Sequence, residues 1–284
     1  MNKKLILGTA QLNNQYGILN LKKKNESEIF KFLEHCAFNN IKQFDTAEGY
    51  NNHKILGKFF KSNHKYFKPT IFTKVDSITK NNYTNKLRIE LLKKKIEIIL
   101  NDLTIIPHTI LFHNAQDSEF LKKNFYDIKE IISNFGIMNI GSSIYDLKEF
   151  RLLSSLKNIA FQVPLNPTNL QFKLKVQKNY KIIARSIFLQ GLLINLKLKN
   201  IPKILLKPYS NYVNFVVKNK INPINFCMNF INQQNIYKFI IGVDNKNQLN
   251  QILNYDKEKI NSQYLKKISS FFSKKSRDPR QWLR

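Results

Sequence analysis

Four side chains are of the right types to move a proton together: Asp45, Tyr50, Lys74 and His113. A tyrosine phenol ordinarily titrates at about 10, too high for efficient proton donation at neutral pH. An ammonium beside it favours the phenolate and lowers that value. A carboxylate beside the lysine would hold and orient it, and a histidine beyond could hydrogen-bond the same substrate oxygen. Taken singly, each residue reads more readily as a solvated or loop-capping group. The chemistry rests on the four converging.

The elements that would bring them together follow from the hydropathy pattern. Short apolar runs predict strands over Leu5–Leu7, Ile41–Asp45, Thr70–Lys74, Thr109–His113, Met138–Ser142, Ile159–Val163, Lys181–Ser186 and Phe239–Val243. Amphipathic stretches predict helices over Ser27–Asn39, Lys54–Lys61, Asn85–Leu100, Ser118–Asn134, Leu147–Leu156, Asn225–Gln233, Asn247–Leu253 and Ser262–Phe272. A further helical segment is expected between the sixth and seventh strands. Asn25 or Ser27 suits the first N-cap, and Gly136 stands just past its helix as a C-terminal glycine should. Asn195–Lys220, Pro-punctuated and Lys-rich, carries no clear element and predicts a mobile loop near the site.

Eight strands separated by helices imply a parallel sheet covered by helices, and at this length a closed (β/α)8 TIM barrel, one domain over residues 1–284. An open doubly wound sheet is the alternative. Against it, Gly8-Thr9-Ala10 after the first strand is no G-x-G-x-x-G fingerprint. In a barrel, function gathers where strands end. Polar groups stand there repeatedly: Asp45 to Tyr50, Lys74, His113-Asn114, Gly141-Ser142-Ser143, Gln162, Asn166, Arg185-Ser186, Gln190-Gly191 and Gly242.

These residues resemble the aldo-keto reductase family, whose tetrad is Asp, Tyr, Lys and His in this chain order at these strand ends. The matching segments run in order: Leu7-Gly8-Thr9-Ala10-Gln11, Phe44-Asp45-Thr46-Ala47-Glu48-Gly49-Tyr50, Leu56-Gly57, Phe72-Thr73-Lys74-Val75 and Leu111-Phe112-His113-Asn114. They continue through Gly141-Ser142-Ser143-Ile144-Tyr145-Asp146, Phe161-Gln162-Val163-Pro164-Leu165-Asn166, Arg185 to Leu192, Ile240-Ile241-Gly242-Val243 and the Asp278-Pro279-Arg280-Gln281-Trp282 tail. The branch found beside surface-sugar biosynthesis genes is similar.

The resemblance implies reduction of a small-molecule aldehyde or ketone, such as a sugar or nucleotide-sugar carbonyl, by hydride transfer from NADPH. Tyr50 would protonate the carbonyl oxygen, His113 would stabilise its developing charge, and Asp45 would pair with Lys74. Ser143 and Gln162 would bind the nicotinamide carboxamide, and the Arg185 guanidinium would stack in place of an aromatic ring. Ser186, Gln190 and Gly191 would line the pyrophosphate path, and Gly242, Val243, Asp244, Lys246 and Gln248 the adenosine end. Gly8, Thr9 and Ser142 complete the cofactor set. Asp244 would repel a 2′-phosphate and argues for NADH; Lys246 argues for NADPH, which the family prior favours slightly. After Tyr50 the family usually has a glycine, then a Ser-Glu pair; here stand Asn51, His53 and Lys54. A non-catalytic cofactor-binding barrel, serving as a regulatory module, is the alternative function.

The net charge of +28 would suit a nucleic acid or an anionic lipid. Only six of the 47 basic residues are arginine, however, and the lysines are scattered. That is the pattern of an A/T-rich coding bias and not of a base-reading surface, so no specific nucleic-acid partner is expected. No apolar run reaches a membrane span, and Met1-Asn2-Lys3-Lys4 with Leu5–Leu7 is too short for a signal peptide. Cys36 and Cys227 read as buried packing residues in a reducing, cytoplasmic compartment. The five histidines show no metal-ligand spacing. Oligomeric state is not readable.

Overall fold

A computed structural model describes residues 3–12, 17–18, 24–79, 82–172 and 180–282. Eight strands close into a barrel in chain order: β1 (Leu5–Gly8), β2 (Gln43–Asp45), β3 (Thr70–Val75), β4 (Thr109–Phe112), β5 (Asn139–Ser143), β6 (Ala160–Pro164), β7 (Lys181–Arg185) and β8 (Lys238–Ile241). Every neighbouring pair is parallel, and β1 pairs with β8 to close the ring. This is the expected (β/α)8 barrel, with each predicted strand matched to within about two residues.

The period-2 alternation of a strand decides which side chains face inward. Leu5, Leu7, Phe44, Ile71, Ile110, Phe112, Ile140, Phe161, Val163, Ile182, Ala184, Phe239 and Ile241 pack into the large outer core. Ile6, Phe72, Ile183 and Ile240 form a separate cluster inside the barrel. Counting on by twos from the inner positions reaches Gly8, Lys74, Arg185 and Gly242. The same count, from positions alternating with the outer core, reaches Asp45, His113, Ser143 and Gln162. Ser142 has the parity of outward-facing Ile140, so the register turns it from the barrel interior.

The helices are α1 (Glu26–Phe38), α2 (His53–Ser62), α3 (Asn85–Leu103), α4 (Ser118–Lys123), α5 (Phe125–Asn134), α6 (Leu147–Leu153), α7 (Leu206–Lys218), α8 (Pro223–Asn232), α9 (Lys246–Leu253) and α10 (Ser262–Ser270). Asn25 closes a capping box on α1 with Glu28. After α5, Gly136 takes φ +77, the left-handed conformation predicted for it.

Three expectations are corrected. The single helix over Ser118–Asn134 breaks into α4 and α5 at Asn124. This buried side chain hydrogen-bonds the Phe120 carbonyl and the Asn85 amide, competing with the helical ladder. The helix expected between β6 and β7 is absent from residues 165–172, where Asn166 Oδ1 draws a tight turn around Thr168 and Asn169. Residues 173–179 lie outside the described residues. Most of the expected Asn195–Lys220 loop is ordered, with α7 occupying its second half. Tyr209, Tyr212 and Val216, at helical spacing, are its buried face. Pro208 is tolerated because it sits in the first turn, and the Tyr209 and Tyr212 hydroxyls tie the helix to the Asn195 and Leu193 carbonyls.

Candidate active site

β2 delivers Asp45 and β3 delivers Lys74 to adjacent inner positions near the strand ends. Both are buried, and Lys74 Nζ donates to Asp45 Oδ2 at 2.6 Å. The same ammonium donates to the Thr46 carbonyl at 2.9 Å and to the Tyr50 hydroxyl oxygen at 3.4 Å. Three donors and three acceptors leave the ammonium with no unused N–H. The other Asp45 oxygen accepts from Gln162 Nε2 at 2.7 Å. A buried ion pair persists only when its remaining hydrogen-bonding capacity is met in this way.

Tyr50 ends a single 3-10 turn over Glu48–Tyr50. Asn51 follows at φ +52, so the position usually held by glycine is filled by the residue that best tolerates the left-handed region. Asn52 is buried: its side chain accepts from Thr46 Oγ1 and donates to the Thr9 carbonyl. His53 opens α2, and its Nε2 lies 2.9 Å from Thr73 Oγ1. Burial pushes His53 down to about 4, so it is neutral at pH 7. These contacts fix the loop at the very residues where the sequence departs from the family.

Burial first, then the Asp45 carboxylate, push the Tyr50 phenol well above its ordinary value, while Arg185 opposes them. The expected lowering by Lys74 does not prevail. Its charge is paired with Asp45 at 2.6 Å and reaches the phenol only at 3.4 Å. Tyr50 therefore carries its proton. Because Lys74 can only donate, that proton cannot lie between the two groups and must point elsewhere.

His113, one residue past β4, places its ring edge-on to Tyr50, with centroids 5.9 Å apart. Its Nδ1 lies 3.1 Å from Asp76 Oδ1. A carboxylate accepts only, so Nδ1 carries the proton and Nε2 remains for another partner. Asp76 was not singled out from the sequence. Its only signal was an acid two residues beyond Lys74, and its role depends on β4 lying beside β3. Glu48 is the second unpredicted participant: it takes the Asp76 backbone N–H and pairs with Lys95 at 2.6 Å.

One cavity brings Asp45 and Tyr50 together with many of the predicted cofactor residues: Gly8, Gln162, Arg185, Ser186, Gln190, Gly191, Gly242, Asp244 and Gln248. Lys74 and His113 do not line it; each adjoins it through Tyr50, the ammonium at 3.4 Å from the hydroxyl and the imidazole edge-on to the ring. Thr9, Ser142, Ser143, Val243 and Lys246 do not line it. Thr9 is buried, with its hydroxyl donating to the Asp45 carbonyl. Ser142 and Ser143 are buried, Val243 packs in the core, and Lys246 is exposed at the start of α9. After β7 the chain runs through left-handed backbone at Ser186 (φ +57), Leu189 (+47), Gln190 (+55) and Gly191 (+90). Such strain collects at ligand sites. Gly17, at φ +89, lets Ile18 donate to the Gln190 carbonyl, which brings the β1–α1 connection to the same cavity.

Gln162 tests whether this cavity fits a carboxamide-bearing cofactor. Its Nε2 is held by Asp45, and its buried Oε1 has no hydrogen-bond partner among the described residues. A buried amide oxygen without a partner is costly and suits an incoming N–H donor. Among the described residues no group of three His, Cys, Asp or Glu side chains could hold a metal ion.

The model of the aldo/keto reductase family matches residues 4–272. No curated protein matches the chain by sequence. Solved structures with the same fold include aldo-keto reductase AKR11C1 from Bacillus halodurans in its holo form, with TM-score 0.72, 15% identity and coverage of 95% of this chain and 92% of that one. Aldo-keto reductase AKR2E5 of the silkworm Bombyx mori gives TM-score 0.68 at 14% identity over 95% and 85%. The glycerol dehydrogenase AKR11B4 from Gluconobacter oxydans gives 0.62 at 16% over 94% and 90%.

Proposed function

The chain belongs to the aldo/keto reductase family, an oxidoreductase family that acts on small-molecule carbonyls with NAD(P)H, and on that premise we propose that Tyr50 is its general acid. The observation that carries this reading is the Lys74 ammonium, buried and donating at once to Asp45 and to the Tyr50 oxygen. A phenol kept protonated on a cavity wall can give its proton to a carbonyl oxygen, and the phenolate left behind already faces an ammonium donor. His113, turned by Asp76 so that Nε2 is left over, stabilises charge on the same oxygen. A reduced nicotinamide, when bound, supplies the hydride. Gln162 would hold its carboxamide, and Ser186, Gln190 and Gly191 its pyrophosphate. The substrate is an aldehyde or ketone; a sugar or nucleotide-sugar carbonyl is the class suggested by the similar branch.

The family resemblance weighs for NADPH. One observation favours NADH: Asp244 lines the cavity, whereas Lys246 does not. A wall carboxylate accepts from a ribose 2′-hydroxyl and repels a 2′-phosphate. Fluorescence titration with NADPH and NADH side by side, followed by turnover with a panel of aldehydes, tests both statements. Saturable binding of at least one cofactor with turnover of at least one aldehyde is expected. Absence of binding to either cofactor would overturn the assignment.

A further inference from the structure

We infer that a second cavity, between the end of β7 and the C-terminal tail, is an anion subsite, so that the preferred carbonyl substrate carries a carboxylate or phosphate group. The inference rests on the reductase reading above and names the substrate class of the same site. Only six of the chain's 47 basic residues are arginine, yet three of them, Arg185, Arg277 and Arg280, line this one cavity together with Lys274. A chain that uses lysine almost everywhere else has placed here the side chain that binds oxyanions in a fixed fork.

The acids on the same wall are already engaged. Asp278 is gripped by Arg280, with Nε at 3.0 Å and Nη2 at 2.7 Å from its two oxygens. Asp146 caps α6, accepting from the Lys148 and Glu149 backbone N–H groups. Glu149, nearby, takes the Tyr145 and Asp146 backbone N–H groups. Arg280 is therefore neutralised, while neither Arg185 nor Arg277 makes an ion pair among the described residues. Arg185 has two neutral acceptors, the Ser186 hydroxyl at 3.4 Å and the Ile144 carbonyl at 3.2 Å. Arg277 is partly withdrawn from water, which disfavours its charge. A half-buried guanidinium that is not hydrogen-bonded to a carboxylate gains a charge-assisted pair from an incoming anion.

The subsite is also held rigid and joined to the reaction centre. The Arg185 and Arg280 guanidinium carbons lie 4.1 and 3.4 Å from the Tyr145 ring centroid. Both guanidinium groups lie over this ring, which braces them. Arg185 and Ser186 line both this cavity and the one that holds Tyr50. The charge of Arg185 is felt at the Tyr50 phenol. An anionic group seated in the second cavity would lie beside Arg185 and Ser186, at the rim of the cavity that holds Tyr50.

Two matched pairs of aldehydes separate the sources of the anion: succinic semialdehyde against butyraldehyde for a carboxylate, and glyceraldehyde 3-phosphate against glyceraldehyde for a phosphate. We expect kcat/KM at least about tenfold higher for the anionic member of one pair, as charge-assisted hydrogen bonds allow. Arg277→Gln should shrink that ratio severalfold. Should this variant not fold, the wild-type ratio should still fall between about 0.05 and 0.5 M NaCl, as screening requires. Trp282, the only tryptophan, lies in the same tail two residues from Arg280, and its emission is the readout of binding without turnover. Its emission should respond to the anionic aldehydes at lower concentration than to the neutral ones. Turnover of all four compounds with ratios near one, or a ratio indifferent to both Arg277→Gln and salt, would overturn the inference. Loss of all turnover while the Trp282 response persists would instead count against the reductase reading.

Discussion

At the scale of single residues, the buried Lys74–Asp45 pair anchors the candidate site. Removing one partner of such a pair strands a charge away from water, whereas removing both does not. Lys74→Met should therefore cost about 3–5 kcal/mol in urea unfolding, and Asp45→Asn/Lys74→Met should cost less than Lys74→Met alone. Equal costs would show that the pair is not what stabilises this end of the barrel. The four proton-transfer candidates were legible from the sequence because their types make sense only together, at successive strand ends. The protonation of Tyr50 was not legible. It depends on burial and on Asp45 competing for the lysine, quantities that no spacing encodes. Asp76 and Glu48 escaped for a related reason, since both act across strand neighbours that only the closed barrel brings together.

At the scale of elements, alternation was the readable signal and side-chain competition the unreadable one. Strand ends and inner parity follow from runs of Ile, Leu and Phe, whereas the break at Asn124 and the turn at Asn166 follow from side chains that satisfy backbone groups locally. Helix α7 was hidden because its buried face is built largely of tyrosines, which double as hydrogen-bond donors. The abundance of asparagine also acquires a local meaning. Asn25, Asn222, Asn245 and Asn261 cap helices, and Asn40, Asn51, Asn158 and Asn200 occupy left-handed positions. The start of α2 makes a testable contribution. His53 titrates at about 4 in the folded protein and about 6.5 when unfolded, so below pH 6.5 the unfolded chain binds the extra proton. Stability should fall by about 3 kcal/mol as the pH drops from 6.5 to 4, and a His53→Gln variant should lose that slope. Denaturant midpoints across this window check it. Strand β5 gives a second case. A Cβ on Gly141 would lie 2.1 Å from the Ala160 carbonyl oxygen, so Gly141→Ala should destabilise by about 1–3 kcal/mol or more, read as a lowered Tm.

At the scale of the whole molecule, the +28 charge is best read as a field and not as a recognition surface. No helix among the described residues is long and apolar enough to cross a membrane. Both cysteines are buried and free, and burial pushes the Cys36 thiol up to about 12, which keeps it unreactive. A positive field gathers an anionic cofactor, so its association rate in stopped-flow fluorescence should fall as ionic strength rises from about 0.05 to 0.5 M. A flat rate would leave the lysines as composition alone. The proposed anion subsite was illegible in the sequence because it depends on which loop and tail side chains share a cavity, and its arginines stand almost a hundred residues apart. The most direct test of the central claim compares wild-type and Tyr50→Phe protein in single-turnover mixing with reduced cofactor and an accepted aldehyde. The variant should bind cofactor nearly as well but oxidise it at least about a hundredfold more slowly. Unchanged oxidation of the cofactor by Tyr50→Phe would contradict that claim.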